Sequence, residues 1–405
     1  MAVKKRRRGA REDKNVSVNG SASSSKGVPK CMLPEGIGSW HEMSSVIKGM
    51  EWSIYSSDDG SSASAADGAA PSAEMIKEFR SAADAEYAKE LSKFEKYSRE
   101  NASTDSTWVE KTAFSASSTL SDRISSSVIL IQQNPVYRLR VMDDLLKLAG
   151  KEKRIATMVG DGLKDLMVSN LLPPDRKLLS FDSRPLAKFS DGTLKMSPKV
   201  LIMWRFEEML KERYARFLSL IGSWMDDTLD TTKKFALHTS CELLTAAPEQ
   251  EEVLLSMVVN KLGDPSKKAA ASSGHQLRRV LEKHPAMTQV VCREVQQLSH
   301  RPNLSARGVY NCITFLNQIK FCKGEEELPR SLVSTYFKLF ELATGADAAT
   351  RPDKDKERTG KVGVGGGAGV RACLRNWTLF FSRGTSHSSF ALLNARLLTQ
   401  NQYTI

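Results

Sequence analysis

Apolar side chains recur every three or four residues over most of the stretch between residues 72 and 345, the spacing of one face of an α-helix. Residues 72–100 show the pattern first, without proline or glycine, and predict one long amphipathic helix with a charged outer face. Its apolar positions are Met75, Phe79, Ala83, Tyr87, Leu91 and Phe94. Strand-like alternation is almost absent, so the pattern predicts an all-α protein.

Prolines and capping residues mark where the later helices begin and end. Pro198 and Pro248 each stand where the first residue of a helix is expected, because the missing N–H costs nothing there. The sequence Gly263-Asp264-Pro265 predicts a sharp turn between two antiparallel helices. His284 and Pro285 predict the end of the second helix, since a cation suits a helix C-terminus and proline stops the helix.

Pairs of predicted helices follow one another at a nearly regular interval. They begin near residues 249, 286 and 329, which are 37 and 43 residues apart. Helix pairs repeating at about 40–47 residues are typical of HEAT and armadillo proteins. A single pair cannot bury its apolar face, so neighbours must stack. The sequence therefore predicts a HEAT/armadillo-like helical-repeat solenoid over residues 104–345, with a compact helical bundle as the alternative.

Both ends of the chain have a different composition from the helical region. Residues 1–71 are rich in Ser, Gly, Ala and Asp and have too little apolar surface to offset the entropy of ordering them. We expect this segment to be disordered, with Trp40, Trp52 and Tyr55 as side chains able to dock locally. Residues 346–405 lack a helical period, and Gly363–Gly369 is expected to be a linker, because no strand precedes it and no phosphate-binding lysine follows.

The charge balance favours a polyanionic partner. Lys and Arg number 59 against 47 Asp and Glu, a formal net charge of +12, which suits RNA, DNA or an anionic membrane. A basic cluster at the start of the chain is typical of nuclear import or of a phosphate-gripping arm: Lys4, Lys5, Arg6, Arg7, Arg8 and Arg11. No apolar run approaches the roughly 18 residues of a membrane span, so no membrane partner is expected.

Seven cations on the predicted repeat helices are candidates for phosphate contacts with RNA, which a basic repeat surface can make without reading bases. They are Lys267, Lys268, Arg278, Arg279, Lys283, Arg301 and Arg307. The competing interpretation is an ordinary solvated surface, because many helices carry mixed charges. The charged run Asp175–Lys177 has the same two interpretations, an ion-paired clamp on a neighbouring loop or a contact with RNA.

No arrangement of residues in the sequence predicts catalysis. The motifs GxSxG, HExxH and a lysine-containing phosphate loop are absent. His238 and Cys241 lie one helical turn apart, but zinc takes four ligands, so positions in a buried core are the simpler interpretation. The six cysteines form no CxxC pair and are expected to be reduced. We expect no catalytic residue, no metal site, no cofactor and no enzyme activity.

Three motifs in fixed order, "LLPPDRKL", "EKHPAM" and "RPNLSAR", lie within residues 119–344. With the helices around them they resemble the nucleolar-complex family typified by CCAAT/enhancer-binding protein zeta. The resemblance implies a helical-repeat protein of the nucleus and nucleolus that assembles the precursor of the large ribosomal subunit. It also implies another nucleolar-complex protein, pre-ribosomal particles and pre-rRNA as partners. A CCAAT-box DNA-binding regulator of transcription is the alternative that the family name carries.

The resemblance covers the N-terminal half of the family pattern. Residues 346–405 resemble nothing in the family and are expected to derive from an alternative or mispredicted 3′ end. A solenoid that ends without a polar capping repeat exposes the apolar face of its last helix, here around Phe337 and Phe340. We therefore expect low solubility or low cellular abundance for this form.

Overall fold

The computed structural model describes residues 72–101, 103–151, 153–184, 186, 197–319 and 327–349, together with Cys31, Leu33 and Trp40. Within these residues there are twelve α-helices and no strand. The first six are α1 (Ala73–Glu100), α2 (Thr104–Phe114), α3 (Leu120–Gln133), α4 (Leu139–Lys151), α5 (Lys153–Leu166) and α6 (Pro198–Met225). The next six are α7 (Asp230–Ala246), α8 (Glu251–Asn260), α9 (Lys267–Lys283), α10 (Thr288–Ser299), α11 (Ala306–Leu316) and α12 (Glu327–Ala349).

Helices α3 to α12 stack in two layers. The pairs α4/α5, α6/α7, α8/α9 and α10/α11 pack internally, and α5, α7, α9 and α11 pack on one another in succession. In the second layer α4 packs on α6, α8 on α10, and α10 on α12. One continuous cluster of buried apolar side chains runs through the stack, from Ile124 in α3 to Leu339 in α12. This architecture is a helical solenoid and confirms the predicted fold class.

The repeat is more regular in the structure than the sequence predicted. Helices α7, α9 and α11 begin at residues 230, 267 and 306, which are 37 and 39 residues apart. Helices α8, α10 and α12 begin at residues 251, 288 and 327, again 37 and 39 residues apart. The predicted interval of 43 was too long, because Pro329 lies inside the first turn of α12, where proline is tolerated. Assignment of the repeat to the HEAT or armadillo type stays a prediction.

The prediction that Pro248 opens a helix was wrong by three residues. Gln250 has a left-handed backbone, with φ 53°, so the helix cannot begin before Glu251. Glu249, which is 1% exposed, uses its side chain elsewhere and accepts a hydrogen bond from the Leu178 N–H at 2.6 Å. Pro248 and Gln250 together place Glu249 between two helices, where its side chain holds the loop that contains Leu178.

The turn predicted at Gly263-Asp264-Pro265 is confirmed. A 3₁₀ turn over Lys261–Gly263 closes α8, and Asp264 Oδ1 then accepts a hydrogen bond from the Ser266 N–H at 2.8 Å. Ser266 is the N-cap of α9 and its side chain accepts from the Ala269 N–H at 3.4 Å. At the other end, α9 stops at Lys283, with His284 as its C-cap.

Helix α1 crosses α6 and is fixed there by apolar packing and by ion pairs. Ala83 of α1 is fully buried in a second cluster that contains Phe181 and Trp204. Arg80 pairs with Glu208 at 2.6 Å across the same contact. The structure thus extends the packed helical region upstream of the repeats. In the described part of the chain, no helix combines the length and hydrophobicity that a membrane span requires.

Trp40 docks on the solenoid. Its side chain is 1% exposed, its Nε1 donates to the Leu171 carbonyl at 2.8 Å, and its ring meets Phe206 edge-on at 5.2 Å between centroids. The Leu171 carbonyl belongs to a π-helical turn, Met167–Leu171, that continues α5. The proposed domain boundaries at residues 71 and 345 stay predictions.

Candidate nucleic-acid interface

All seven candidate cations have exposed side chains. Helix α9 carries five of them on two neighbouring faces. Residues eleven positions apart lie on the same side of a helix, because eleven residues make about three turns. Lys267 and Arg278 share the face that meets α11. Lys268, Arg279 and Lys283 share the face beside it, toward α7.

The face toward α11 borders a groove of about 450 Å³ between α9 and α11. Three of the seven cations line it: Lys267, Arg278 and Arg307. The other side chains that line it come from both helices and from the turn before α9: Leu262, Ala270, Ala271, Gly274, Tyr310, Asn311, Thr314, Phe315 and Gln318. No Asp or Glu is among these twelve residues, so the charge facing the groove is entirely positive.

The two walls of the groove belong to successive repeats. Lys267 faces Arg307, and Arg278 faces Gln318; each pair is separated by 40 residues in the chain. At the second of these positions Arg278 Nη1 donates a hydrogen bond to Gln318 Oε1. Helices α9 and α11 are therefore parallel and in register, with their N-termini at the same end of the groove.

Lys267 and Arg307 make no ion pair with any residue that the structure describes. Their charges stand at the N-terminal ends of α9 and α11, where the helix dipoles are also positive. The charges of Lys267 and Arg307 and the two helix dipoles favour the approach of a phosphate group at this end of the groove.

The remaining candidates do not belong to this groove. Arg279 and Lys283 border a crevice between α7 and α9 that also contains Glu242, so their charge is partly offset there. Arg301 donates to Asn260 Oδ1 at 2.8 Å, which joins the turn after α10 to the end of α8. Lys268 is exposed beside Lys267 on the same helix but does not line the groove.

Sequence reasoning missed the uncharged half of the groove. Tyr310 lies between the apolar positions Val309 and Ile313, yet it is 37% exposed. Asn311 and Gln318 carried no signal of their own. The approximate repeat was the available signal, because these residues lie 40 positions after Ala271 and Arg278, one more than the 39 residues between the starts of α9 and α11.

The run Asp175–Lys177 serves as a clamp. Arg176 Nη1 lies 2.5 Å from Glu207 Oε1 of α6, and Lys177 Nζ lies 2.8 Å from Glu251 Oε1 at the start of α8. The hydrogen bond to Glu251 raises the pKa of Lys177. Of the two interpretations, these contacts favour ion pairing that ties the loop after α5 to two repeats.

The histidines and the buried cysteine have structural surroundings. His284 ends α9, and its Nε2 lies 3.0 Å from the Thr245 carbonyl at the end of α7, so it joins two adjacent helix ends. Cys241 is 4% exposed, and burial raises the pKa of its thiol to about 12. His238, one turn away, points outward and lies 3.5 Å from Glu242. The described residues contain no group of three or more potential metal ligands.

Several predicted features lie outside the described residues. They are the basic cluster Lys4, Lys5, Arg6, Arg7, Arg8 and Arg11, the disordered N-terminal segment apart from Cys31, Leu33 and Trp40, the glycine run Gly363–Gly369, and the tail from residue 350 onward.

Comparison with known proteins relates most of this chain to one group. It is 37% identical over 272 residues to CCAAT/enhancer-binding protein zeta of Homo sapiens, an alignment that covers 66% of this chain and 26% of the human protein. It is 31% identical over 244 residues to Nucleolar complex protein 1 of Drosophila melanogaster, covering 59% of this chain and 20% of the fly protein. The chain is homologous to the CCAAT/enhancer-binding protein zeta and nucleolar complex protein 1 family.

A fungal relative extends the comparison. The chain is 34% identical over 242 residues to Ribosome biogenesis protein NOC1 of Chaetomium thermophilum, covering 56% of this chain and 23% of the fungal protein. The resemblance inferred from the three motifs is thereby confirmed. The chain spans a quarter or less of the length of most of these family members, and no family model matches it.

Proposed function

We propose that this chain acts in ribosome biogenesis, as a nucleolar scaffold that assembles the precursor of the large ribosomal subunit through protein and pre-rRNA contacts. The observation that carries the proposal is homology to proteins named for the nucleolar complex and for ribosome biogenesis, over more than half of the chain. The helical solenoid supports it, because stacked repeats offer a long surface on which several partners bind at once.

The partners follow from the same homology and from the surface. They are another nucleolar-complex protein, pre-ribosomal particles and pre-rRNA, and the site of action is the nucleus and nucleolus. A net charge of +12 and the acid-free groove between α9 and α11 support contact with RNA. The basic cluster at the start of the chain supports nuclear import.

The chain is proposed to work by binding and not by catalysis. The buried charges that the structure describes serve to hold the fold together; Arg184 and Glu207, for example, are both fully buried and lie 2.7 Å apart. The cations that line the groove are exposed, and the residues that line it include no Asp, Glu, His or Cys. Such a surface recognises a polyanion but offers no pair of groups for proton transfer.

Affinity purification of the tagged full chain from growing cells tests the proposal. We expect it to recover assembly factors of the large subunit together with large-subunit precursor RNA. An untagged culture and a culture with a tagged unrelated solenoid are the controls. Recovery of chromatin proteins alone would contradict the proposal.

The second candidate is a DNA-binding regulator, which the name of the human relative favours. A binding titration with a CCAAT-containing duplex and a scrambled duplex of the same length separates the two functions. A regulator binds the CCAAT duplex more tightly at every salt concentration, whereas a scaffold binds both duplexes equally and with the same salt dependence.

A further inference from the structure

The α9–α11 groove has the dimensions of a single strand. Lys267 and Arg278 lie eleven residues apart on α9, which is about three helical turns or roughly 16 Å along its axis. Between them the wall consists of Ala270, Ala271 and Gly274, so no bulky side chain fills the space. The volume of about 450 Å³ falls in the range of sites that enclose a small ligand, which suits one or two nucleotides but not a duplex.

The cations of the groove stand at its two ends, where they can hold two phosphates of one strand. Lys267 and Arg307 stand at one end, across the groove from each other, and Arg278 stands at the other end, oriented by Gln318. Because the Gln318 amide is neutral, it orients the Arg278 guanidinium without offsetting its charge. A carboxylate partner would offset that charge and leave less of it for a ligand. The groove therefore offers positive charge at both ends of a small-walled channel.

The uncharged residues distinguish a nucleic acid from an acidic peptide. Tyr310 lies between the cations with 37% of its side chain exposed, and exposed aromatic faces stack on unpaired bases. Asn311 Nδ2 donates to the Leu262 carbonyl at 2.9 Å and Gln318 Oε1 accepts from Arg278, which leaves Asn311 Oδ1 and Gln318 Nε2 as the amide atoms able to bond to a base edge. An acidic peptide uses the cations but has no need of an exposed ring.

We infer that the α9–α11 groove is a binding site for single-stranded RNA, in which Lys267, Arg307 and Arg278 hold phosphates and the Tyr310 ring stacks on a base. The inference rests on the proposed function, since it names the place where this chain holds pre-rRNA.

Neighbouring lysines provide the matched test. Lys267→Glu and Lys268→Glu make the same change of charge in the same turn of α9, but only Lys267 lines the groove. The probe is a fluorescein-labelled 12-nucleotide oligouridylate, titrated with the purified full chain by fluorescence anisotropy. We expect Lys267→Glu to weaken binding about tenfold and to lower the slope of log K against log salt by about 0.7, the share of one phosphate on a single strand. Equal losses in the two variants would overturn the inference.

Two charge-neutral changes test stacking and space. Tyr310→Ala is expected to weaken binding about tenfold, whereas Tyr310→Phe keeps it, because stacking needs the ring and not the hydroxyl. Ala271→Leu, at an exposed helical position, fills the channel and is expected to weaken binding as well. Circular dichroism verifies that each variant keeps its helix content. If Tyr310→Ala and Ala271→Leu both bind like the wild type, the groove is not the site.

Competition and purification separate the possible failures. A 12-residue polyglutamate that binds with the same dependence on Lys267, while the oligouridylate does not bind, would assign the groove to an acidic protein and overturn the inference. If the Lys267→Glu chain still recovers large-subunit precursors and still binds the oligouridylate like the wild type, the groove is not the RNA site. The scaffold function would then stay intact. Failure of the wild type to recover precursors, although it binds the oligouridylate through the groove, would overturn the scaffold function alone.

Discussion

Glu207 of α6 is fully buried and holds together the loop between α5 and α6. Its carboxylate lies 2.7 Å from Arg184 and 2.5 Å from Arg176, and it accepts a hydrogen bond from the Leu179 N–H at 2.9 Å. Burial lowers the pKa of Arg184, and the charge of Glu207 acts against that shift. An arrangement of this kind is stable only while every member is present, because each charge has lost its water.

Glu207→Gln keeps the size of the side chain and removes its charge. We expect the free energy of unfolding, measured by urea titration, to fall by about 3–5 kcal/mol, because Arg184 is left as an uncompensated buried charge. Glu212→Gln, an exposed position on the same helix, is the matched control and should change stability by no more than about 0.5 kcal/mol. Similar small losses in both variants would show that the buried pair contributes little.

Asp264 fixes the turn between α8 and α9. It is 8% exposed; burial raises the pKa of its carboxyl, but the Ser266 N–H and Lys233 outweigh this effect, so the pKa lies below its usual value. Lys233 Nζ lies 3.3 Å away and Lys261 Nζ 3.4 Å away. Because the pKa is lower in the folded state, the ionised Asp264 stabilises the fold above the unfolded value of about 3.9, and this contribution is lost as pH falls through the folded pKa.

Asp264→Asn is expected to lower the free energy of unfolding by about 1–3 kcal/mol at pH 6, because the amide still accepts from Ser266 but no longer attracts the two lysines. The difference between wild type and variant should be smaller at pH 3, below the unfolded value of about 3.9, because the unfolded wild type then takes up a proton at Asp264 that the folded state resists. Urea titrations of both proteins at the two pH values provide the measurement. A difference that stays constant with pH would contradict this role of Asp264.

At the scale of elements, the register of α9 against α11 depends on a close contact between two glycines. A Cβ on Gly308 would lie 2.6 Å from Leu304 Cδ1 and 3.3 Å from the Gly263 Cα, so the start of α11 packs directly on the turn before α9. Gly274, in the middle of α9, has room, because its Cβ would meet Leu262 Cδ2 at 3.6 Å. The contact of Gly308 with Gly263 sets where the two helices begin relative to each other.

The two glycines predict opposite responses to alanine. Gly274→Ala should raise the free energy of unfolding by up to about 1 kcal/mol, because alanine favours the helix and its methyl group fits. Gly308→Ala should lower it by about 1–3 kcal/mol, because overpacking against backbone outweighs the helical preference. Thermal melts of both variants show whether each substitution raises or lowers the stability. A gain at Gly308 would mean that the turn and α11 are not in close contact.

At the scale of the molecule, the main contacts of each pair of helices in the described stack are with its neighbours along the stack. Leu255 of α8 is 2% exposed and lies in the continuous core, whereas the core of α4 and α5 lies several helices away. The stability of such an array is a sum of local and nearest-neighbour contributions, so damage to one repeat unfolds its neighbourhood first.

Leu255→Asp places an unpaired charge in the core between α8 and its neighbours, at a cost of several kcal/mol. We expect hydrogen exchange to lose protection in α8 and in the helices that it contacts, α7, α9 and α10, while α4 and α5 keep theirs. Leu255→Met, which retains an apolar side chain of similar volume, should leave the protection pattern unchanged. Uniform loss across all helices would show that the chain folds as one cooperative body instead of an array of repeats.

The sequence by itself determined the helices, their caps and the repeat. These properties depend on residues within one or two helical turns, such as Ser266 before α9 and the apolar stripe of α8. The exposure of the seven cations was predictable for the same reason, because each lies outside the apolar stripe of its own helix. Where the prediction failed, at Pro248 and Pro329, proline marks the first turn of a helix only to within a few residues.

The tertiary structure decided which of these residues meet. Lys267 and Arg307 come together only because the contact of Gly308 with Gly263 fixes the register of α11 on α9, a contact between residues 45 positions apart. Trp40 and Leu171, and Arg184 and Glu207, likewise meet through packing that no local pattern encodes. Side-chain spacing along one helix specifies a face, but the neighbour of that face is chosen by the fit of whole helices against one another.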